Sequence, residues 1–164
     1  MNKYDKIIFV CSNDTCRAPM AAGIMKNKFL HSPSIIESRG LVVLFQSPIN
    51  PKVEAIMMSN GMSLKDHQSS QLLEEDFSID NLIVVMNEED RQTIFKEFAN
   101  AKNVYLISEL AGEEGDVYDP YGKALADYGK CYEELDNYIT KFVKKLNEEV
   151  PENGKSLFPQ ADSE

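Results

Sequence analysis

Cys11 and Arg17 stand in a C-x5-R spacing, in a chain of 164 residues that holds only three cysteines. Alone, the pair is a weak motif; its setting gives it weight. Residues 6–10 (KIIFV) read as a buried strand that stops at Cys11. Pro19 suits a first helical turn, where its missing N–H would have had no partner anyway. The pair therefore brackets a strand-to-helix loop. In such a loop successive backbone N–H groups converge and the helix start adds partial positive charge, which together hold a tetrahedral oxyanion. Cys11 would form the floor of that cradle, with Ser12, Asn13, Asp14, Thr15 and Cys16 lining it. The same field favours a thiolate, and bringing a cysteine from about 8.5 to below neutrality takes at least about 2 kcal/mol. Arg17 supplies part of this, and its planar fork meets two phosphate oxygens at once.

A thiolate attacking phosphorus needs a proton delivered to the leaving group. Asp119, stiffened by Pro120 within the Gly- and acid-rich stretch 111–123, is the candidate. Cys11 would take the phosphoryl group, Arg17 and the loop amides would hold the equatorial oxygens, and Asp119 would act first as acid, then as base toward water. The scheme uses no metal and no cofactor. Tyr121 and Tyr118 either wall the pocket or anchor the loop, and the wall is preferred for Tyr121.

Such groups need a rigid frame. Ala21, Ile24, Met25 and Phe29 recur at helical spacing after the loop. Residues 35–40 (IIESRG) and 42–45 are extended candidates, and Asn50-Pro51 opens a helix through Met58 that stops at Asn60-Gly61. Residues 82–86 (LIVVM) are the clearest buried strand, 88–98 a helix with acids in its first turn, and 104–107 (VYLI) the last strand. From Leu125 to Leu146 helical spacing persists for about six turns. Alternating strands and helices predict an α/β fold, a parallel sheet with helices on both faces and a ligand crevice beyond the carboxyl ends of the strands. One domain over 1–150 and a loose polar tail over 151–164, with Leu157 and Phe158 its only large apolar residues, complete the expected organisation.

Twenty-seven acidic residues against 17 basic ones give a net charge of −10, which disfavours nucleic acid and anionic membranes as partners and requires any anion site to be local. No apolar stretch approaches the roughly 18–20 residues that span a bilayer, and the segment before Cys11 is too short and charged for a secretory signal. Three cysteines, odd in number and few, suit a reducing, cytoplasmic setting. Cys131 falls on the periodic C-terminal helix and reads as core. Cys16 is either a redox partner of Cys11 or a packed helix-start residue. His31 reads as exposed, and the acidic runs 74–76, 88–90 and 113–114 as solvated faces without partners.

The stretch VCSNDTCRAPMA at 10–21, together with Asp119-Pro120-Tyr121, resembles the low-molecular-weight protein-tyrosine phosphatases and their bacterial protein-arginine phosphatase branch. Their signature is V-C-x-G-N-x-C-R-S-P with a distal D-P-[YF]. The resemblance runs over about residues 4 to 148, with Glu37-Ser38-Arg39-Gly40 and the 66–71 segment (DHQSSQ) in the expected order. It implies a three-layer αβα fold with a four-stranded parallel sheet, a phosphocysteine mechanism and a phosphorylated protein as substrate. It further implies Cys11 as nucleophile, Arg17 as clamp, Asp119 as general acid and His67 as loop support.

Three departures bear on activity. Asn13-Asp14 replace the family's Gly-Asn, and Asn and Asp both tolerate left-handed backbone. Asp14 adds negative charge near an anion site, so its side chain should bond neighbouring amides or face away. Ala18 removes a hydroxyl that in the family donates to the sulfur, a bond worth roughly 1.5–3 kcal/mol, so turnover could fall about tenfold to a hundredfold. Thr15 replaces the bulky aliphatic residue of many tyrosine-specific members and is threonine in the protein-arginine phosphatases, where a hydroxyl could orient a guanidino leaving group. The leading expectation is a phosphotyrosine phosphatase. Phosphoarginine is the nearer alternative, and a catalytically weakened phosphate-binding module the more distant one. Arsenate reduction is disfavoured because residues 63–108 contain no cysteine for a thiol relay.

Overall fold

The computed structural model describes residues 4–148. Its four strands are β1 (Lys6–Cys11), β2 (Ile35–Gly40), β3 (Asn81–Val85) and β4 (Val104–Leu106). They form one parallel sheet in the order β2-β1-β3-β4, with Phe9 beside Ser38 on one side and Val84 on the other. The chain steps from β1 to one neighbour and returns to the other, so the end of β1 is the topological switch point where α/β sheets open a crevice.

Alternation along the strands divides the core. Ile7 and Phe9 of β1 and Leu82 and Val84 of β3 bury one face against α1 (Arg17–Lys26), α2 (Pro51–Ser59) and α5 (Leu125–Asn147). Ile8, Val10, Ile83 and Val85 bury the other against Ile94 of α3 (Glu88–Glu97), Leu72 and Phe77. Each such side chain contributes about 1.5–3 kcal/mol of transfer free energy. Asn50 and Asn87 cap α2 and α3, their side chains accepting from Lys52 N–H and Asp90 N–H at 2.8 Å each. Among the described residues no helix is long and apolar enough to cross a membrane.

Four expectations need correction. Helix α1 ends at Lys26, so Phe29 lies beyond it, 71% exposed, with its ring edge-on to His31. Residues 42–45 form no strand: Gln71 takes the place beside Gly40 in an isolated parallel bridge, and Val42, Leu44 and Phe45 are exposed. Ile107 starts a short helix, α4 (Ile107–Leu110), instead of ending β4. The acidic runs are only partly solvated. Asp76, in a 3-10 turn, is buried against Arg39 at 3.4 Å, and Asp90 is buried as well. Glu88 and Glu113 pair with Arg91 and Lys141. The tail expected over 151–164 lies outside the described residues.

Phe9 is fully buried in the central strand. Replacing it by Ala should cost about 3–5 kcal/mol, read as a lower urea midpoint at unchanged denaturant slope. A shift below about 1 kcal/mol would mean that the core closes around the vacancy.

Candidate active site

Strand β1 delivers Cys11 to the switch point with its sulfur buried, 2% exposed. Five residues then turn the chain into α1. Asp14 makes the turn in the left-handed region, at φ 59°. Segment 41–50 braces the turn from outside: N–H groups of Leu41, Val42 and Asn50 donate to the carbonyls of Cys11, Ser12 and Thr15 at 3.0, 3.0 and 3.1 Å. Gly40 lies close behind the loop, where a Cβ would come within 2.8 Å of the Asn13 carbonyl carbon.

With those carbonyls engaged elsewhere, loop N–H groups face the sulfur. Ala18 N–H, in the first turn of α1, donates to Cys11 Sγ at 3.3 Å, and the Asp14 N–H does the same from the turn. Asp14 itself is fully buried and points away from the cradle. Its Oδ2 accepts from Ser70 N–H at 2.9 Å, and His67 Nε2 donates to its main-chain carbonyl at 2.7 Å. Asp14 therefore lines the site through its backbone alone. Thr15 Oγ1 donates to Asn13 Oδ1 at 2.8 Å, which stiffens the rim. The Cys16 thiol is packed in the core and burial pushes it well up, with Cys131 and Cys11 adding to the effect. Cys131 is pushed up to about 12 by burial in the same core. All three cysteines are free.

Arg17 is almost wholly buried, and its planar group is held on several sides. NH1 donates to Val117 O at 2.9 Å, NH2 reaches Ser12 Oγ at 3.4 Å, and Asp119 Oδ2 lies 3.7 Å from NH2. Its Nε is buried without a hydrogen-bond partner. An orphan donor of that kind costs about 1–3 kcal/mol, which an oxyanion seated beside the sulfur would offset. Asp119 is partly exposed on the 111–124 loop, with Oδ1 accepting from Tyr121 N–H at 3.1 Å. The loop is pinned on four sides. Val117 N–H donates to Met86 O at 2.8 Å, Asp116 Oδ1 accepts from Glu88 N–H at 3.1 Å, Ser108 Oγ donates to Gly115 O at 2.8 Å, and Lys52 Nζ donates to Lys123 O at 2.6 Å. Tyr118 and Tyr121 stand exposed on it, as do Leu44 and Phe45 on the opposite brace.

Burial pushes Cys11 up, and the N–H of Ala18, the guanidinium of Arg17 and the N–H of Asp14 pull against it without prevailing, while the Asp14 charge adds to the rise. Asp14 is also raised by burial, against the Ser38 hydroxyl, Ser70 N–H, His67 and Arg39. Sequence reasoning missed Val117, Ser70 and Asn50, because main-chain partners leave no signature of residue type. It also missed Asp90, whose carboxyl burial pushes up and the Arg17 charge pulls back.

A strand-to-helix loop that aims N–H groups at a cysteine sulfur, with an arginine and an aspartate at its rim, defines the phosphatase class built on a C-x5-R loop. Residues 6–152 match the family described as low molecular weight phosphotyrosine protein phosphatase, and the chain belongs to it. Low molecular weight protein-tyrosine-phosphatase PtpB of Staphylococcus aureus is 32% identical over 136 residues, covering 83% of this chain and 95% of that protein. The protein-arginine-phosphatase of Bacillus subtilis is 31% identical over 154 residues, covering 87% and 97%. The crystal structure of a low molecular weight protein tyrosine phosphatase from T. tengcongensis superposes with a TM-score of 0.79 at 32% identity, covering 85% of this chain and 98% of that one. The four-stranded parallel α/β fold is theirs too.

Ala18→Ser would place a hydroxyl beside the Cys11 sulfur. Alkylation of Cys11 by iodoacetamide should then set in at a pH lower by about one to two, with a matching gain in turnover. An unchanged alkylation profile would show that the hydroxyl does not reach the sulfur.

Proposed function

We propose that this chain is a cysteine-dependent protein phosphatase that hydrolyses phosphotyrosine through a phosphocysteine intermediate. The observation that carries the proposal is the Cys11 sulfur, buried at the end of β1, with the Ala18 N–H on it at 3.3 Å and the charge of a buried Arg17, whose Nε has no hydrogen-bond partner, acting on it. Arg17 and the loop N–H groups hold the phosphoryl oxygens, whose charge grows equatorially in the transition state. Cys11 attacks phosphorus, Asp119 gives its proton to the leaving oxygen, and the resulting carboxylate takes a proton from the water that cleaves the S–P bond. A neutral thiol with a phosphate dianion carries the same protons as a thiolate with a monoanion. Whichever of the two carries it, that proton ends on the phosphoryl group when the sulfur attacks. Exposed Tyr118 and Tyr121, on the loop that carries Asp119, and exposed Leu44 and Phe45, on the segment that braces the Cys11 loop, suit an aromatic leaving group. A protein substrate, rather than a small metabolite, accords with the family and with a site open at the surface. Three free thiols support a reducing, cytoplasmic setting.

Phosphoarginine is the second reading. It is favoured by Thr15, whose hydroxyl stands at the rim bonded to Asn13, and by a relative named protein-arginine-phosphatase that covers 87% of the chain. A guanidino leaving group would use the oxygen of Thr15 where an aromatic ring would prefer aliphatic packing.

Hydrolysis of an aryl phosphate should vanish in Cys11→Ser and fall about 10²–10⁴-fold in Asp119→Asn, in steady-state assays. Turnover that survives Cys11→Ser would refute the mechanism, and wild-type protein that binds phosphate without turnover would leave a binding module. Phosphotyrosine and phosphoarginine peptides, compared by kcat/KM in wild type and Thr15→Ile, decide the leaving group. The substitution should favour the tyrosine peptide in either case, and a wild-type preference for the arginine peptide would overturn the primary assignment.

A further inference from the structure

A carboxylic acid occupies the most enclosed position of the loop. Asp14 is fully buried, and its left-handed backbone fixes where the side chain goes: behind the cradle, toward the 67–70 segment. Oδ2 accepts from Ser70 N–H, while Oδ1 closes no hydrogen bond of ordinary geometry and lies 3.7 Å from His67 Nε2. That nitrogen also contacts the Asp14 main-chain carbonyl, which can only accept, so Nε2 carries a hydrogen. The remaining places for a proton are Oδ1 of Asp14 and Nδ1 of His67. Carboxyl and imidazole thus form one couple, carrying either one negative charge or none.

Burial opposes the negative state, and the groups that face Asp14 only partly offset it. On the loop, Asp14 and Cys11 each face the other's charge, and the Asp14 charge works against ionisation of the thiol. On β2, Arg39 faces Asp14, but its guanidinium is already paired with Glu37 and with Asp76, at 3.4 Å to the latter. Arg17, the cation on the open side of the loop, is directed at Ser12, Val117 and Asp119. From the 67–70 segment the facing groups are His67 and the neutral Ser70 N–H, and from β2 the Ser38 hydroxyl. A dianion arriving on the other side of one turn of main chain raises the energy of the charged couple further, since like charges in a dry setting interact strongly.

We infer that the Asp14–His67 couple takes up a proton when an oxyanion binds beside Cys11, so that anion affinity rises as pH falls. The inference rests on the oxyanion site of the proposed function but not on turnover. Burial of Asp14 already pushes its carboxyl up from the ordinary range, in the direction that uptake requires. Binding and proton uptake are reciprocal: for one proton taken up, affinity changes about tenfold per pH unit across the range in which the couple titrates. Asp14 acts here as a positioning residue. It does not touch the anion; it sets the charge behind the backbone that does.

Sulfate is a suitable probe, because it is tetrahedral and keeps its charge between about pH 5 and about pH 8. A Cys11→Ser, Asp90→Asn, Asp119→Asn background removes the thiol and the two other carboxyls that the Arg17 charge reaches. Isothermal titration in buffers of different ionisation enthalpy counts the protons taken up. The background should bind sulfate more weakly as pH rises and take up close to one proton per anion. Adding Asp14→Asn, which keeps the left-handed backbone accessible, should remove both the uptake and the slope. Adding His67→Gln instead should move the uptake to lower pH. Sulfate binding without uptake in the background, or an unchanged slope in Asp14→Asn, would overturn the couple while leaving the anion site intact. No sulfate binding at any pH would overturn both.

Discussion

Everything in this molecule is arranged around one geometric demand: five residues between Cys11 and Arg17 must close tightly enough for backbone N–H groups to meet at a sulfur atom. The chain cannot do this unaided, because a turn of that kind leaves carbonyls and donors without partners. Three neighbouring segments meet the demand. Residues 41–50 take the carbonyls of Cys11, Ser12 and Thr15, residues 67–70 hold Asp14, and the start of α1 offers the Ala18 N–H. The strand order is part of the same solution, since β1 lies between β2 and β3 and the segment that follows β2 braces the loop at its end.

Electrostatics set the second constraint. A chain of net charge −10 must present a local positive field, and its arginines divide the work. Arg39 is paired with Glu37 and Asp76, and Arg91 with Glu88 and Glu109. Those pairs leave Arg17 as the arginine turned toward the loop. Against it stand the burial of Cys11, which pushes the thiol up, and the nearby charge of Asp14.

How much of this was legible beforehand varies with the kind of interaction. The runs KIIFV and LIVVM announced buried strands, and the helical spacing from Leu125 onward announced α5, because burial selects residue types with a period. The C-x5-R pair and Asp119 before Pro120 were named from residue types and His67 from the family resemblance, and the structure brings all four to one end of β1. The limits of short apolar segments were not legible. Val42 to Phe45 look like a strand, but Val42, Leu44 and Phe45 stand exposed, since the 66–71 segment, Gln71 foremost, claims the place beside Gly40. Phe29 has the right spacing but falls past the end of α1. Charge runs misled for a related reason: Asp76 and Asp90 are buried by tertiary partners that local composition does not reveal.

The contact between Arg17 and Val117 has a consequence of another sort. The guanidinium grips the 111–124 loop by a peptide oxygen, which every amino acid supplies alike. Residue 117 is therefore free to drift in identity, within the limits of a buried apolar pocket, without loosening that grip. Mutational tolerance at this position would understate how firmly it is tethered, and loops of quite different composition could be grafted there so long as one main-chain oxygen returns to the same point.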